Sequence, residues 1–247
     1  MAIFAAMGVG TFIFGLSSPD FTTRAWTSFV MNHFYFMSLG IGGLFFAVLQ
    51  WLTGAMWSAP LRRLSEALSA YLPFVFVSFV ILCFGLHNLY IWTHMEHVNG
   101  DAVLQGKSGY LSPTFFAIRN IFVLVLWFLF RMKFVGNSVK QDTTKAFALS
   151  QSNRSWSPMF MIIFGVGFTM MSFDTLMSLD PHWFSTMFGV YCFAGLFYST
   201  LAATCLLTLF LRGRGMLDGI LNDNHLHDLG KFMFAFTVFW AYIGFSQ

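Results

Sequence analysis

Several groups of polar side chains interrupt otherwise apolar stretches, and their types are those that move protons or hold polar head groups. Asn32 and His33 lie in one apolar run, His87 and Asn88 close the next, Arg119 and Asn120 open a third, and Asp174 stands near the end of a fourth. Asp180 and His182 follow a few residues later. Imidazole exchanges protons near neutral pH, and a carboxylate beside Arg or His stays ionised or takes up a proton as its surroundings change. Ionisable groups at such depth are costly unless paired or hydrated, so they commonly mark ion, proton or substrate routes. The spacing therefore predicts a ring of ionisable groups around one cavity, with His33, His87 and Asp174 at its centre. Glu66, His225, His227 and Asp228 form a second polar set on the other side, suited to a proton entry or a helix cap.

Plainer readings compete at each position. Asn32, Asn88, Asn120 and Asp174 are residue types that also hydrogen-bond neighbouring helices. His33 and His87 could supply two axial ligands to a haem, but two histidines at similar depth specify such a site weakly. His94, Glu96 and His97 add ligand types on a loop without metal-site spacing, and no metal site is expected. Cys83, Cys192 and Cys205 lie inside apolar segments with no CxxC spacing, which points to core residues rather than disulfides or an iron–sulfur cluster.

The elements that must position these groups are apolar helices. Of 247 residues, 57% are hydrophobic and 20% aromatic, while only 9% are charged, a composition suited to lipid. Seven apolar segments can be drawn: 2–16, 29–52, 71–93, 115–130, 159–177, 184–211 and 232–247. A crossing needs roughly 20 residues, so the short first and last segments read as helices cut at both ends of the chain. The expected fold is all-α, a single polytopic transmembrane helix bundle over 1–247. Of the 13 Lys and Arg, all but Arg24, Lys107 and Arg119 fall on alternate loops, at 57–70, 131–158 and 212–231. By the positive-inside rule those loops, and with them the N-terminus, face the cytoplasm. The basic residues cap apolar segments instead of forming one face, which argues against nucleic acid as a partner and for membrane lipid. The 131–158 stretch, rich in Ser, Asn, Gln and Lys, reads as a solvent-side connector.

Longer motifs carry a resemblance. SLDPHWFSTMFGVY at 178–191 and HLHDLGKFMFAFTVFWAYIGFSQ at 225–247 resemble the NrfD-like, or polysulfide-reductase membrane-subunit, family, in particular the membrane subunits of bacterial alternative complex III. WSAPLRRLSEAL at 57–68, KSGYLSPTFFAIRN at 107–120 and FDTLMSLDPHWFST at 173–186 extend the likeness over nearly the whole chain. Any one of these pieces alone would be weak; the combination is specific. Arg119, Asn120, Asp174, Asp180, His182 and His227 match family positions, whereas Thr175 stands where the family usually has Trp.

The resemblance implies a non-catalytic or partly catalytic subunit of a quinol:cytochrome c oxidoreductase, or one using a similar acceptor, in the bacterial inner membrane. It also implies quinol or menaquinol as the substrate of the complex and no cofactor held by this chain. Haem and iron–sulfur clusters would sit in partner subunits, among them iron–sulfur and cytochrome c subunits and an ActC-like sibling. A quinone or proton role would then fall to His33, His87, Arg119, Asn120, Asp174, Asp180 and His182 on the outer side. An inner proton path would use Glu66, His225, His227 and Asp228. The alternative is a structural anchor for peripheral redox subunits, with neither role.

Overall fold

The computed structural model describes residues 2–246, and what they form is helical throughout with no strand. Helices α1 (Ala2–Ser17) and α2 (Pro19–Thr53) meet at Ser18, where Pro19 begins the second helix without needing an amide donor. Gly54, at φ 66, ends α2 in the left-handed conformation that glycine adopts freely. Helix α3 (Ala59–Leu68) runs through a single 3-10 turn into α4 (Leu72–Phe84). Three short helices, α5 (Leu86–Leu89), α6 (Met95–Gly100) and α7 (Ala102–Lys107), then lead to α8 (Pro113–Thr144). Helices α9 (Phe147–Thr175), α10 (Phe188–Arg212) and α11 (Asp223–Ser246) complete the chain.

Six of these spans, counting α3 and α4 as one, are long and apolar enough to cross a membrane, and α1 is a shorter apolar helix. The chain is a polytopic helical membrane protein. Its centre is α2, which packs against α3, α4, α9 and α10. Aromatic side chains fill the joints: Phe45 stacks on Phe164 at 4.5 Å, and Phe34 and Phe168 meet at 5.8 Å. Glycines set the closest approaches. A Cβ on Gly43 would lie 2.4 Å from the Ser65 carbonyl, and one on Gly42 would strike Thr200 of α10.

Several boundaries differ from the sequence expectation, among them the 212–231 loop, which is shortened because α11 already begins at Asp223. The 131–158 connector is not a loop: α8 continues to Thr144 and α9 begins at Phe147, so the turn is only Lys145–Ala146. Phe134, Asn153 and Ser157 are buried along these extensions and Ser138 is buried against α3, so both helices pack beyond the apolar run. Asn153 donates to the Phe134 carbonyl and accepts from Asn137 at 2.8 Å, a join that hydropathy does not reveal. The 57–70 stretch is likewise mostly helix, as α3. The apolar run 71–93 breaks at Gly85, against which the Trp26 ring is pressed so closely that a Cβ would lie 2.2 Å from it.

The basic turns gather at one end of the bundle. Arg63 donates to the Ser138 carbonyl at 2.7 Å, Arg131 to the Ser69 carbonyl at 2.9 Å, and Trp57 stacks on Phe232. At the opposite end Tyr90 donates to the Thr175 carbonyl, Trp92 to that of Ser178 and Lys107 to that of Pro181.

Candidate functional site

Helices α8 and α9 run antiparallel, which brings the start of one beside the end of the other, away from the basic turns. There Arg119 and Asp174 form a two-pronged ion pair, Nη2 to Oδ1 at 2.9 Å and Nε to Oδ2 at 3.1 Å, the geometry that suits a planar guanidinium to a carboxylate. Asn120 donates a third hydrogen bond to Oδ2 at 3.0 Å. Asp174 is 0% exposed and Arg119 only 7%. The end of α9 is fixed by the bonds from Tyr90 and Trp92 and by Ser178, whose hydroxyl donates to the Asp174 carbonyl.

One residue of this cluster lay outside the expected set. Tyr110, in the turn before α8, accepts from Arg119 Nη1 through its carbonyl at 2.8 Å, and its ring lies 3.8 Å under the guanidinium. Burial first, then the Asp174 charge and hydrogen bonding to that carboxylate push the Tyr110 phenol up to about 12. Tyr110 also lines an apolar groove of about 380 Å³ with Gly165, Val166, Thr169, Met170 and Phe173. A second groove, of about 300 Å³, shares Gly165 and Thr169 with it and continues toward Phe45, Phe168 and Phe193. Asn120 contributes another feature: its Oδ1 is buried with no hydrogen-bond partner. The cluster thus offers a stabilised buried carboxylate, a spare acceptor and a phenol standing between it and an apolar surface.

The remaining expected members of the ring are not in it. His33 is buried in α2, with Nδ1 2.7 Å from the Ser78 hydroxyl and Nε2 unpartnered. His87 is exposed and stacks on His94 at 3.9 Å, so it and His33 do not face a common haem gap. Asp180 accepts from the His182 backbone, and the His182 imidazole pairs with Asp101 of the α7 cap. Each of these side chains has found a nearer partner. Position along an apolar run fixes depth, but the periodicity that would reveal the side on which a residue faces is lost when the helix is apolar all round.

The Asp101–His182 pair makes a pH test of this end. His182, followed by the amide of Val103, holds the Asp101 carboxyl below its ordinary range. A depressed carboxyl contributes stability that is present above its unfolded value of about 3.9 and is lost as pH falls through the folded one. Replacing His182 by Ala should move the Asp101 titration upward, as read by carbonyl NMR; an unmoved titration would remove this pair from the account.

At the basic end Glu66 is buried, and its Oε2 accepts from Ser138 at 2.8 Å and from Arg63 at 3.3 Å, while its Oε1 has no partner. Along α8, Ser138 and Arg119 are 19 residues apart. At 1.5 Å per residue that places the two buried carboxylates roughly 28 Å apart. His225, His227 and Asp228 do not join Glu66. Asn222 and His225 exchange backbone-to-side-chain bonds at 3.2 Å in both directions, a reciprocal cap on α11. Asp228 pairs with Lys231, and His227 is exposed. Compared with family models and with curated proteins, the sequence gives no match.

Proposed function

We propose that this chain is an integral membrane subunit of a quinol:cytochrome c oxidoreductase of the alternative complex III kind, or of one using a similar acceptor. The observation that carries the reading is the Arg119–Asp174–Asn120 cluster, fully buried in a membrane bundle and reaching an apolar groove by way of Tyr110. A carboxylate held at such depth is a functional site by default. The sequence motifs at 107–120, 173–191 and 225–247 direct that default toward quinol chemistry.

Oxidising a quinol to a quinone releases two electrons and two protons. The electrons pass to haem and iron–sulfur clusters in partner subunits, and the protons need acceptors. In this reading a quinol or menaquinol tail lies in the Gly165–Thr169 grooves, its head group near Tyr110. Asn120 Oδ1 is free to accept from a hydroxyl, and Asp174 supplies the proton exit. Glu66, at the far end of α8, serves the opposite side. The basic turns face the cytoplasm of a bacterial cell, and an ActC-like sibling, iron–sulfur and cytochrome c subunits complete the assembly.

A second reading draws on the saturation of Asp174 by three donors: the cluster is an internal tie, and the chain anchors peripheral redox subunits. Photolabelling the native complex with an azido-quinone separates the two. Label near Tyr110, Val166 or Phe173, displaced by excess quinol, is the expected result. Label confined to other subunits would favour the anchor.

A further inference from the structure

Two guanidinium groups rest on the last turn of α2 without a direct ion pair. Arg62 lies 3.8 Å over the ring of Trp51. Arg154 Nη2 stands 3.8 Å from the point where a Cβ would project from Gly54. Several other cations at this end are engaged by oxygen atoms: Arg63 with Glu66 and Asp142, Arg212 with Asp223, Lys231 with Asp228, and Arg131 with the Ser69 carbonyl. Among the described residues Arg62 and Arg154 form no direct ion pair and donate no hydrogen bond, although the charge of Glu66 reaches Arg62, and the indole Nε1 of Trp51 is buried without an acceptor. Three sets of donors that lack an acceptor therefore converge on one helical turn.

A helix C-terminus attracts cations through its partial negative charge. That accounts for two arginines here but not for an unpaired indole N–H, which the same charge leaves unsatisfied. The depth of the turn supplies what is missing. Trp51 ends the apolar run that begins at Phe29, 22 residues earlier, or roughly 33 Å of helix, slightly more than the hydrocarbon thickness of about 30 Å. The turn thus falls at the level of lipid head groups, where Trp and Arg are characteristic.

We propose that the Trp51–Gly54 turn, with Arg62 and Arg154, binds the phosphate of an anionic glycerophospholipid. The planar guanidinium groups match phosphate oxygens. Gly54 is required for its positive φ, and its lack of a side chain leaves Arg154 open beside the turn. Lipid is favoured over free phosphate because the site lies on the membrane surface, where basic clusters at helix ends collect anionic head groups.

The test uses the full chain purified from membranes in mild detergent, with retained phosphatidylglycerol and cardiolipin counted by native mass spectrometry. The wild type should keep anionic lipid through delipidation and should not exchange it for phosphatidylcholine. The pair Arg62→Gln and Arg154→Gln should lower retention about thirty-fold, roughly five-fold for each arginine. The pair Arg62→Lys and Arg154→Lys should retain most of it, and this variant decides the matter should the Gln pair misfold: loss of the lipid with both charges kept would overturn the proposal. Equal retention in the Gln pair, equal retention of phosphatidylcholine, or full displacement of the lipid by inorganic phosphate would each overturn the proposal.

Discussion

Exchanging Arg119 for Gln should destabilise the folded chain by about 3–5 kcal/mol, because it leaves the Asp174 carboxylate buried without its counter-charge. The cost is that of an orphaned charge rather than the worth of the pair. Taking both ions out of water is itself expensive, and apolar replacement of a buried pair is often neutral or better. The double exchange Arg119→Met with Asp174→Leu should accordingly recover most of the loss, leaving Asn120 Nδ2 bonded to the Phe116 carbonyl as it already is. Denaturant titration in detergent, followed by Trp fluorescence, reads both steps. A single exchange as stable as the wild type would mean that the pair is hydrated or already neutral.

The contact between α2 and α3 gives the second large effect. Gly43 leaves no room for a side chain: a Cβ would stand 2.4 Å from the Ser65 carbonyl and 2.7 Å from Leu68 Cβ. Neither neighbour is the far end of a flexible side chain, so the helices themselves must separate. Gly43→Ala should cost about 1–3 kcal/mol, seen as a lower denaturant midpoint. Gly165→Ala is the control. Its Cβ would meet nothing within 4 Å, and stability should stay near the wild-type value. Equal losses at the two positions would contradict the packing described.

The sequence carried the fold class and the ends of the bundle. Long apolar runs need helices in lipid, and alternation of Lys and Arg placed the basic stretches 57–70, 131–158 and 212–231 at one end, where the contacts among Arg63, Ser138, Arg131, Ser69, Trp57 and Phe232 put them. Depth alone also brought Arg119, Asn120 and Asp174 together, since antiparallel α8 and α9 share a level where one begins and the other ends. Azimuth was not legible. His33 and His87 are at plausible depths, yet one turns to Ser78 and the other outward to His94. Tyr110 escaped notice because a single aromatic residue in a turn carries no periodic signal, and its place beneath Arg119 depends on how the turn folds back. Asp101 went unnoticed for a similar reason, its partner His182 being 81 positions away. The helical extensions of α8 and α9 were hidden by polar composition, which records contact with water and not the conformation of the backbone.

Turnover of the proposed complex carrying Arg119→Met with Asp174→Leu is the most direct test of a role for the buried pair, because it removes both charges while keeping the packing. Quinol-dependent reduction of the acceptor is measured alongside subunit content and thermal stability, so that loss of assembly is seen separately. The expected result is an assembled complex of near wild-type stability whose turnover, or proton release per quinol, is reduced at least about tenfold, the loss that follows when a group that transfers protons is deleted. An assembled complex with unchanged turnover and proton release would show that the buried pair only holds α8 to α9.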